Sequence, residues 1–143
     1  MPDDDGDLQP GVAWPDPRFT DHGDGTVTDE LTHLMWTQNA DLYYTLTWTQ
    51  AQGVCAACTQ GGYDDWRLPS LGELYSLVDF GRFNPALPAG HPFSRVVSTL
   101  YWSSTTFTNV TSFAFMVNLA SGDMSYTSKT LAHRVWCARG GPY

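Results

Sequence analysis

Gly61-Gly62-Tyr63-Asp64-Asp65-Trp66-Arg67-Leu68-Pro69-Ser70-Leu71-Gly72-Glu73-Leu74 is the stretch whose reading decides the fold. Two glycines free to take positive φ close one helix, and Ser70 followed three positions later by Glu73 forms a capping box that opens another. Pro69 stands just outside that cap, where its fixed φ is harmless, and it biases Leu68 to an extended conformation. Trp66 to Leu68 are therefore predicted to run extended between two helices.

Upstream of the joint, Thr47 and Gln50 form a second capping box, after which Trp48, Ala51, Cys55 and Cys58 share one helical stripe. This predicts a first helix from about Trp48 to Gln60 with both thiols facing inward. Downstream, Leu71, Leu74, Tyr75 and Val78 make the buried stripe of a second helix ending near Gly81. Pro85, Pro88 and Pro92 mark residues 82–98 as an ordered loop.

Farther out, the pattern turns to strands. Arg18-Phe19-Thr20 and Thr26-Val27-Thr28 flank Asp21-His22-Gly23-Asp24-Gly25, a hairpin signal, and Leu31 to Trp36 supplies another short strand. From Tyr101 the period becomes two. Phe113, Phe115, Val117 and Leu119 alternate with Ala114, Met116 and Asn118, Ser121-Gly122-Asp123 makes a turn, and a final strand carries Val135 and Cys137 on one face. Strands at both ends of a pair of helices predict an α+β domain, with two short helices packed on a twisted antiparallel sheet, long ordered loops, and chain ends that meet in one sheet. Met1 to Pro17, rich in Asp, Pro and Gly, reads as a flexible acidic leader, leaving 18–143 as the domain.

At 143 residues the chain is one domain, long enough to bury roughly 70% of the surface its unfolded form exposes. No run approaches the ~18 consecutive apolar residues of a membrane span, and no basic start precedes an apolar run, so no membrane insertion is expected. The formal charge is −8, with Asp3, Asp4, Asp5, Asp7 and Asp16 supplying much of it. From Leu100 onward the sign reverses, because Lys129, Arg134 and Arg139 face Asp123 alone. An acidic balance argues against nucleic acid as a partner and leaves one modest basic spot.

Several residue groups suggest chemistry. Cys55, Cys58 and Cys137 allow one disulfide and a leftover thiol, three buried thiols, or, with His133, a zinc site. A redox pair of Cys55 and Cys58 is disfavoured, because both lie deep in a helix rather than at its N-terminus, where the dipole lowers a thiol pKa. Asp21, Asp24 and Asp29 could bind calcium, but the alternating ligands and closing Glu of a calcium loop are missing, which favours turn hydrogen bonds. Arg67 and Glu73 read as a structural pair rather than a catalytic one, and Trp66, Trp102 and Trp136 as core aromatics. His22, His33 and His91 stand in turn-like contexts as solvated side chains. No metal and no cofactor are expected.

The order of Arg18-Phe19-Thr20-Asp21, Asp24-Gly25-Thr26-Val27-Thr28-Asp29, Leu34-Met35-Trp36, Thr47-Trp48, the joint, Tyr101-Trp102-Ser103-Ser104 and Cys137-Ala138-Arg139-Gly140-Gly141 resembles the DUF1566 family. That family is also called the Lcl C-terminal domain, after a collagen-like bacterial adhesin, and the resemblance covers about Arg18 to Gly141. It implies a C-type-lectin-like fold related to that of formylglycine-generating enzymes, and a disulfide between Cys55 and Cys137. The cysteine pair those enzymes use is reduced here to one residue, so no catalysis is expected. The calcium-dependent sugar motifs of lectins are also missing.

Members of the family resemble binding domains, in the adhesin for sulfated glycosaminoglycans and as a trimer. Others are variable proteins of diversity-generating retroelements, in which adenine-directed mutagenesis rewrites codons near the C-terminus, and this chain looks like the second kind. Tyr101-Trp102-Ser103-Ser104, Val117-Asn118, Gly122, Lys129-Thr130 and Val135-Trp136-Cys137 resemble a fixed frame. Phe107, Asn109, Val110, Ser112, Phe113, Met116, Asp123, Ser125, Tyr126, Ser128, Leu131, Ala132 and His133 are then the candidate ligand-binding residues, with Phe107, Phe113, Tyr126 and Leu131 as anchors. The implied partner is a protein or glycan on a surface, met outside the cell, on a cell surface or on a virion. The implied oligomer is a trimer. Two alternatives remain: an adhesin head for sulfated glycosaminoglycans, resting on Lys129 and Arg134, and an enzyme related to the formylglycine-generating fold.

Overall fold

A computed structural model describes residue 15 and residues 17–140; the leader expected over Met1 to Pro17 lies almost wholly outside the described residues. The N-terminal hairpin forms as β1 (Phe19–Asp21) and β2 (Thr26–Asp29), followed by β3 (Leu34–Thr37). Asx turns shape its bend. The Asp21 carboxylate accepts from Gly23 N–H at 2.9 Å, and Asp24 accepts from Thr26 N–H at 3.1 Å. Arg18 reaches across the hairpin to both oxygens of Asp29 at 3.1 and 2.9 Å, and this pair is buried. The three carboxylates weighed as calcium ligands thus serve separate turns and an ion pair.

After β4 (Thr45–Leu46), α1 (Trp48–Ala56) opens on the capping box expected of it: Gln50 N–H donates to Thr47 Oγ1, and Thr47 N–H donates to Gln50 Oε1. It ends four residues before the predicted Gln60. A tight turn, Cys58 N–H to Cys55 C=O at 3.1 Å, carries Cys58 inward instead. A 3₁₀ turn at Gln60–Gly62 follows, with Gly61 at φ 66°. A Cβ on Gly61 would stand 2.6 Å from Thr26 Cγ2, so position and conformation both call for glycine.

α2 (Leu71–Leu77) opens on the Ser70–Glu73 box and stops short of Gly81, because Val78 is already extended. Residues 82–98 form no helix or strand. The C-terminal strands are β5 (Leu100–Thr106), β6 (Phe113–Asn118), β7 (Met124–Ser128), β8 (His133–Arg134) and β9 (Ala138–Gly140).

The architecture is α+β, but with two sheets where one was expected. The first runs β1-β2-β3-β9 and joins the chain ends as predicted; the second runs β4-β8-β5-β6-β7. The single final strand is interrupted, since Val135, Trp136 and Cys137 cross between the sheets outside either ladder. Their side chains still alternate. Trp136 enters one core with Trp36, Leu74, Leu77, Tyr101, Val117 and Leu119, while Val135 and Cys137 enter another with Ala51, Cys55, Trp66, Trp102, Ala114 and Met116.

The second sheet is thus buried on both faces along part of its length, which explains the hydrophobic density of β5 and β6. Opposite parities of β6 serve opposite cores. Ala114 and Met116 point toward α1, whereas Val117 lies across from Tyr101 on the side that α2 covers.

Candidate functional site

Where the cover of α2 ends, the same face of β6 turns outward and carries rings. Register pairs Phe113 with Ser128 and Phe115 with Tyr126, putting these four side chains on one face. Phe107, just past β5, lies flat on Tyr126 with ring centroids 4.6 Å apart and planes 2° apart. It meets Phe115 edge-on at 5.4 Å, while Phe113 and Phe115 each lie 6.2 Å from Tyr126. Four rings thus support one another on the outer surface of the sheet. Tyr126 is 52% exposed and the other three are half-buried.

Two loops frame this cluster at one end. Phe107 N–H donates to Phe113 C=O and Phe113 N–H to Val110 C=O, both at 2.9 Å, closing the loop that presents Asn109, Val110 and Ser112. Lys129 N–H donates to Ser112 C=O at 2.9 Å, so the loop carrying Leu131 and Ala132 lies alongside. Val110 is 44% and Leu131 52% exposed. Lys129 folds back from this rim, its Nζ 4.0 Å from the Trp48 ring centroid and 3.0 Å from Thr106 Oγ1.

Of the predicted binding residues, Phe107, Asn109, Val110, Ser112, Phe113, Tyr126, Ser128, Leu131 and Ala132 are gathered on this face and its rim. Four are not. Met116 is 1% exposed, packed in the core behind the sheet, because its parity is that of Ala114. Ser125 pairs with Met116 and shares that rear side of β7. Asp123 sits in the turn at the far end of β7, bonded to Ser121 Oγ at 2.9 Å. His133 is half-buried edge-on to Trp102 at 5.1 Å; its Nε2 is buried without a partner, and burial lowers its pKa. Phe115 is the ring the sequence reading left out of the site. Its shared parity with Phe113 was the available signal.

Cys55 and Cys137 form the implied disulfide, with Cα atoms 5.5 Å apart, directly behind this sheet. That bond removes two of the four ligands of the zinc reading, and Cys58 stays buried as a thiol. Among the described residues no group of His, Cys, Asp and Glu is placed to hold a metal. The model of the Lcl C-terminal domain family matches residues 25–139. The chain belongs to that family. Among curated proteins no sequence matches it.

The joint bonds to Ser104 and Thr105 of β5, just before the rings, and supplies none of them. Arg67 donates to both oxygens of Glu73 at 2.6 and 2.8 Å, and Ser70 N–H donates to Glu73 Oε1 at 2.8 Å. Burial works against ionisation of Glu73, but these donors outweigh it and hold its pKa below the ordinary value. Trp66 is buried, as are Trp102 and Trp136. This arrangement is structural, a charged pair that fixes a helix start.

Proposed function

We propose that this protein is a ligand-binding domain of lectin-like architecture whose recognition surface is the outer face of β6 and β7 with the two adjoining loops. The carrying observation is the cluster of Phe107, Phe113, Phe115 and Tyr126, rings that all meet at Tyr126 on the part of the sheet face that α2 leaves uncovered. Rings already held by one another lose little side-chain entropy on binding, and they offer a large contact area to a protein or glycan surface. The diversified-surface reading belongs to the same proposal. The candidate variable side chains on the face and rim have the two cores and the disulfide behind them, so their replacement need not disturb the fold.

The alternative of a sulfated glycosaminoglycan rests on basic residues that are already engaged. Arg134 donates to Asp41 at 2.7 Å, Arg139 pairs with Asp65, and Lys129 is held over Trp48. The thiols offer little to an enzyme reading, since two are oxidised to a disulfide and the third is buried. We therefore favour binding through aromatic contacts, outside the cell or on a virion.

A displayed peptide library and an immobilised glycan panel, probed with the whole chain, test this reading. Ligands enriched by the protein should be lost by the Phe107→Ala, Tyr126→Ala, Leu131→Ala triple variant, which should still unfold as one cooperative domain. Retention of every ligand by that variant sinks the placement. For diversification, a near-identical template repeat beside a reverse transcriptase should be found in the source genome, and its absence rules that part out.

A further inference from the structure

Exposed apolar side chains are concentrated on one hairpin. Among the described residues eight large hydrophobic side chains are exposed, and five of them, Phe80, Met124, Tyr126, Val110 and Leu131, lie along the ring face of β6 and β7 or at its two ends. Register sets Met124 across from Val117 and Tyr126 across from Phe115, so both stand on that face. Beyond Met124 the strip continues onto an earlier part of the chain. Phe80, in the loop after α2, lies over the turn of the hairpin, where a Cβ on Gly122 would stand 3.3 Å from its ring. Tyr75 of α2 backs it, with ring centroids 6.1 Å apart. That loop is tied to the hairpin itself, since Asn84 N–H donates to Ala120 C=O at 2.9 Å and Ala86 N–H to Leu119 C=O at 2.7 Å. Phe80 at 66% and Met124 at 50% are therefore exposed on a fixed backbone.

The chemistry of the strip selects what it can take. Lys129 is turned away onto Trp48 and Thr106, and the hydroxyls of Ser128 and Thr130 are bonded to each other. Phe107 and Tyr126 each cover one face of the other. A glycan laid along such a strip would bury hydroxyls against apolar side chains without partners, which is costly, whereas an apolar protein segment gains by the same burial. One charge stands at the turn end. The exposed Asp123 carboxylate accepts from Ser121 Oγ at 2.9 Å, and no cation among the described residues pairs with it. Its field reaches the aromatic end of the strip, for burial and the Asp123 charge both push the Tyr75 hydroxyl's pKa up.

We propose that the recognition surface extends along β7 through Met124 to Tyr75 and Phe80, and that it takes an apolar segment of a partner protein with a basic residue at the end that meets Asp123. This inference rests on the reading of the ring cluster as a binding surface and names the partner's chemistry. Tyr75 and Phe80 precede the C-terminal strands, so they form a constant half of the surface whatever side chains stand around the rings. The apolar strip supplies the affinity, and Asp123 sets the direction in which the segment lies.

A displayed library of random peptides about fifteen residues long, enough to span the strip even as a helix, tests it when probed with the whole chain. Enriched sequences should join apolar residues to a Lys or Arg near one end. Binding of synthetic copies should weaken about ten-fold or more in Phe80→Ser and in Met124→Ser, exposed positions whose replacement costs the fold little. Asp123→Asn should weaken the same peptides, spare copies whose basic residue is replaced by alanine, and lose its effect in salt. Peptides lost in Tyr126→Ala but indifferent to Phe80→Ser and Met124→Ser overturn the extension and leave the ring surface standing. Peptides indifferent to all three remove both. Enrichment of acidic or wholly polar sequences, or of glycans with no peptide at all, overturns the proposal. A self-association in sedimentation that Phe80→Ser abolishes assigns this face to a second copy and overturns it as well.

Discussion

Reduction of the Cys55–Cys137 bond should cost the domain a large part of its stability. The two cysteines are 82 residues apart in sequence. In the chain-entropy model, releasing a loop of that length frees the unfolded state by about 4.5 kcal/mol at 25 °C. Domains of this size are stable by about 5–15 kcal/mol, so the reduced protein should stand close to its unfolding threshold. Urea unfolding followed by tryptophan fluorescence, with and without reductant, measures the difference by linear extrapolation. The Cys55→Ala, Cys137→Ala double variant should lose slightly more, about 1 kcal/mol for each buried sulfur removed. Cys58→Ala should leave the effect of reductant intact, because Cys58 is outside the bond. A loss on reduction below about 1 kcal/mol would refute the entropic reasoning, and a Cys58→Ala variant insensitive to reductant would refute the pairing.

Other perturbations separate core from face. Asp29→Asn removes the carboxylate charge from the buried Arg18–Asp29 pair and should destabilise by about 1.5–3 kcal/mol in the same urea assay. Met116→Ala should cost about 2–5 kcal/mol, as a cavity behind the sheet, whereas Tyr126→Ser on the front should cost about 1 kcal/mol or less. Burial lowers the pKa of His133 and His91 below the ordinary 6.5, so the unfolded chain takes up protons first; stability should fall as pH drops below about 6.5. Glu73, depressed below 4.5, adds a second loss under about that pH. Titration of the melting temperature checks both windows, and His133→Gln should shrink only the upper one.

Local signals carried most of the fold. Both capping boxes, the hairpin and the extended run through Arg67 are features of a few adjacent residues, and each formed as read. What failed depended on distant partners. Helix α1 ends early because Cys58 is drawn inward by a turn, and β8 and β9 separate because the chain must pass from one sheet to the other at Val135–Cys137. The assignment of Met116 and Ser125 to the site failed for a similar reason. A strand of period two shows that two faces exist but not which is open, and here both parities of β6 are apolar. The Arg18–Asp29 pair, across the first hairpin and onto the Ser76 carbonyl, had no local signature at all.

The family's conspicuous joint positions the surface without belonging to it. Arg67 exchanges backbone bonds of 2.8 and 2.9 Å with Ala138, and its guanidinium reaches Glu73 and the Gly140 carbonyl. One residue therefore ties the start of α2 to β9 in the first sheet. Leu71 N–H donates to Thr105 Oγ1 at 3.0 Å and Ser104 N–H to Pro69 C=O at 2.8 Å, tying the same corner to β5 in the second sheet. From β5 the chain runs straight into Phe107, the ring that lies on Tyr126. The corner thus grips β5 at Ser104 and Thr105, within three residues of the ring cluster. A frame held at the corner and by the disulfide fixes where the rings stand while leaving the identity of the residues around them free.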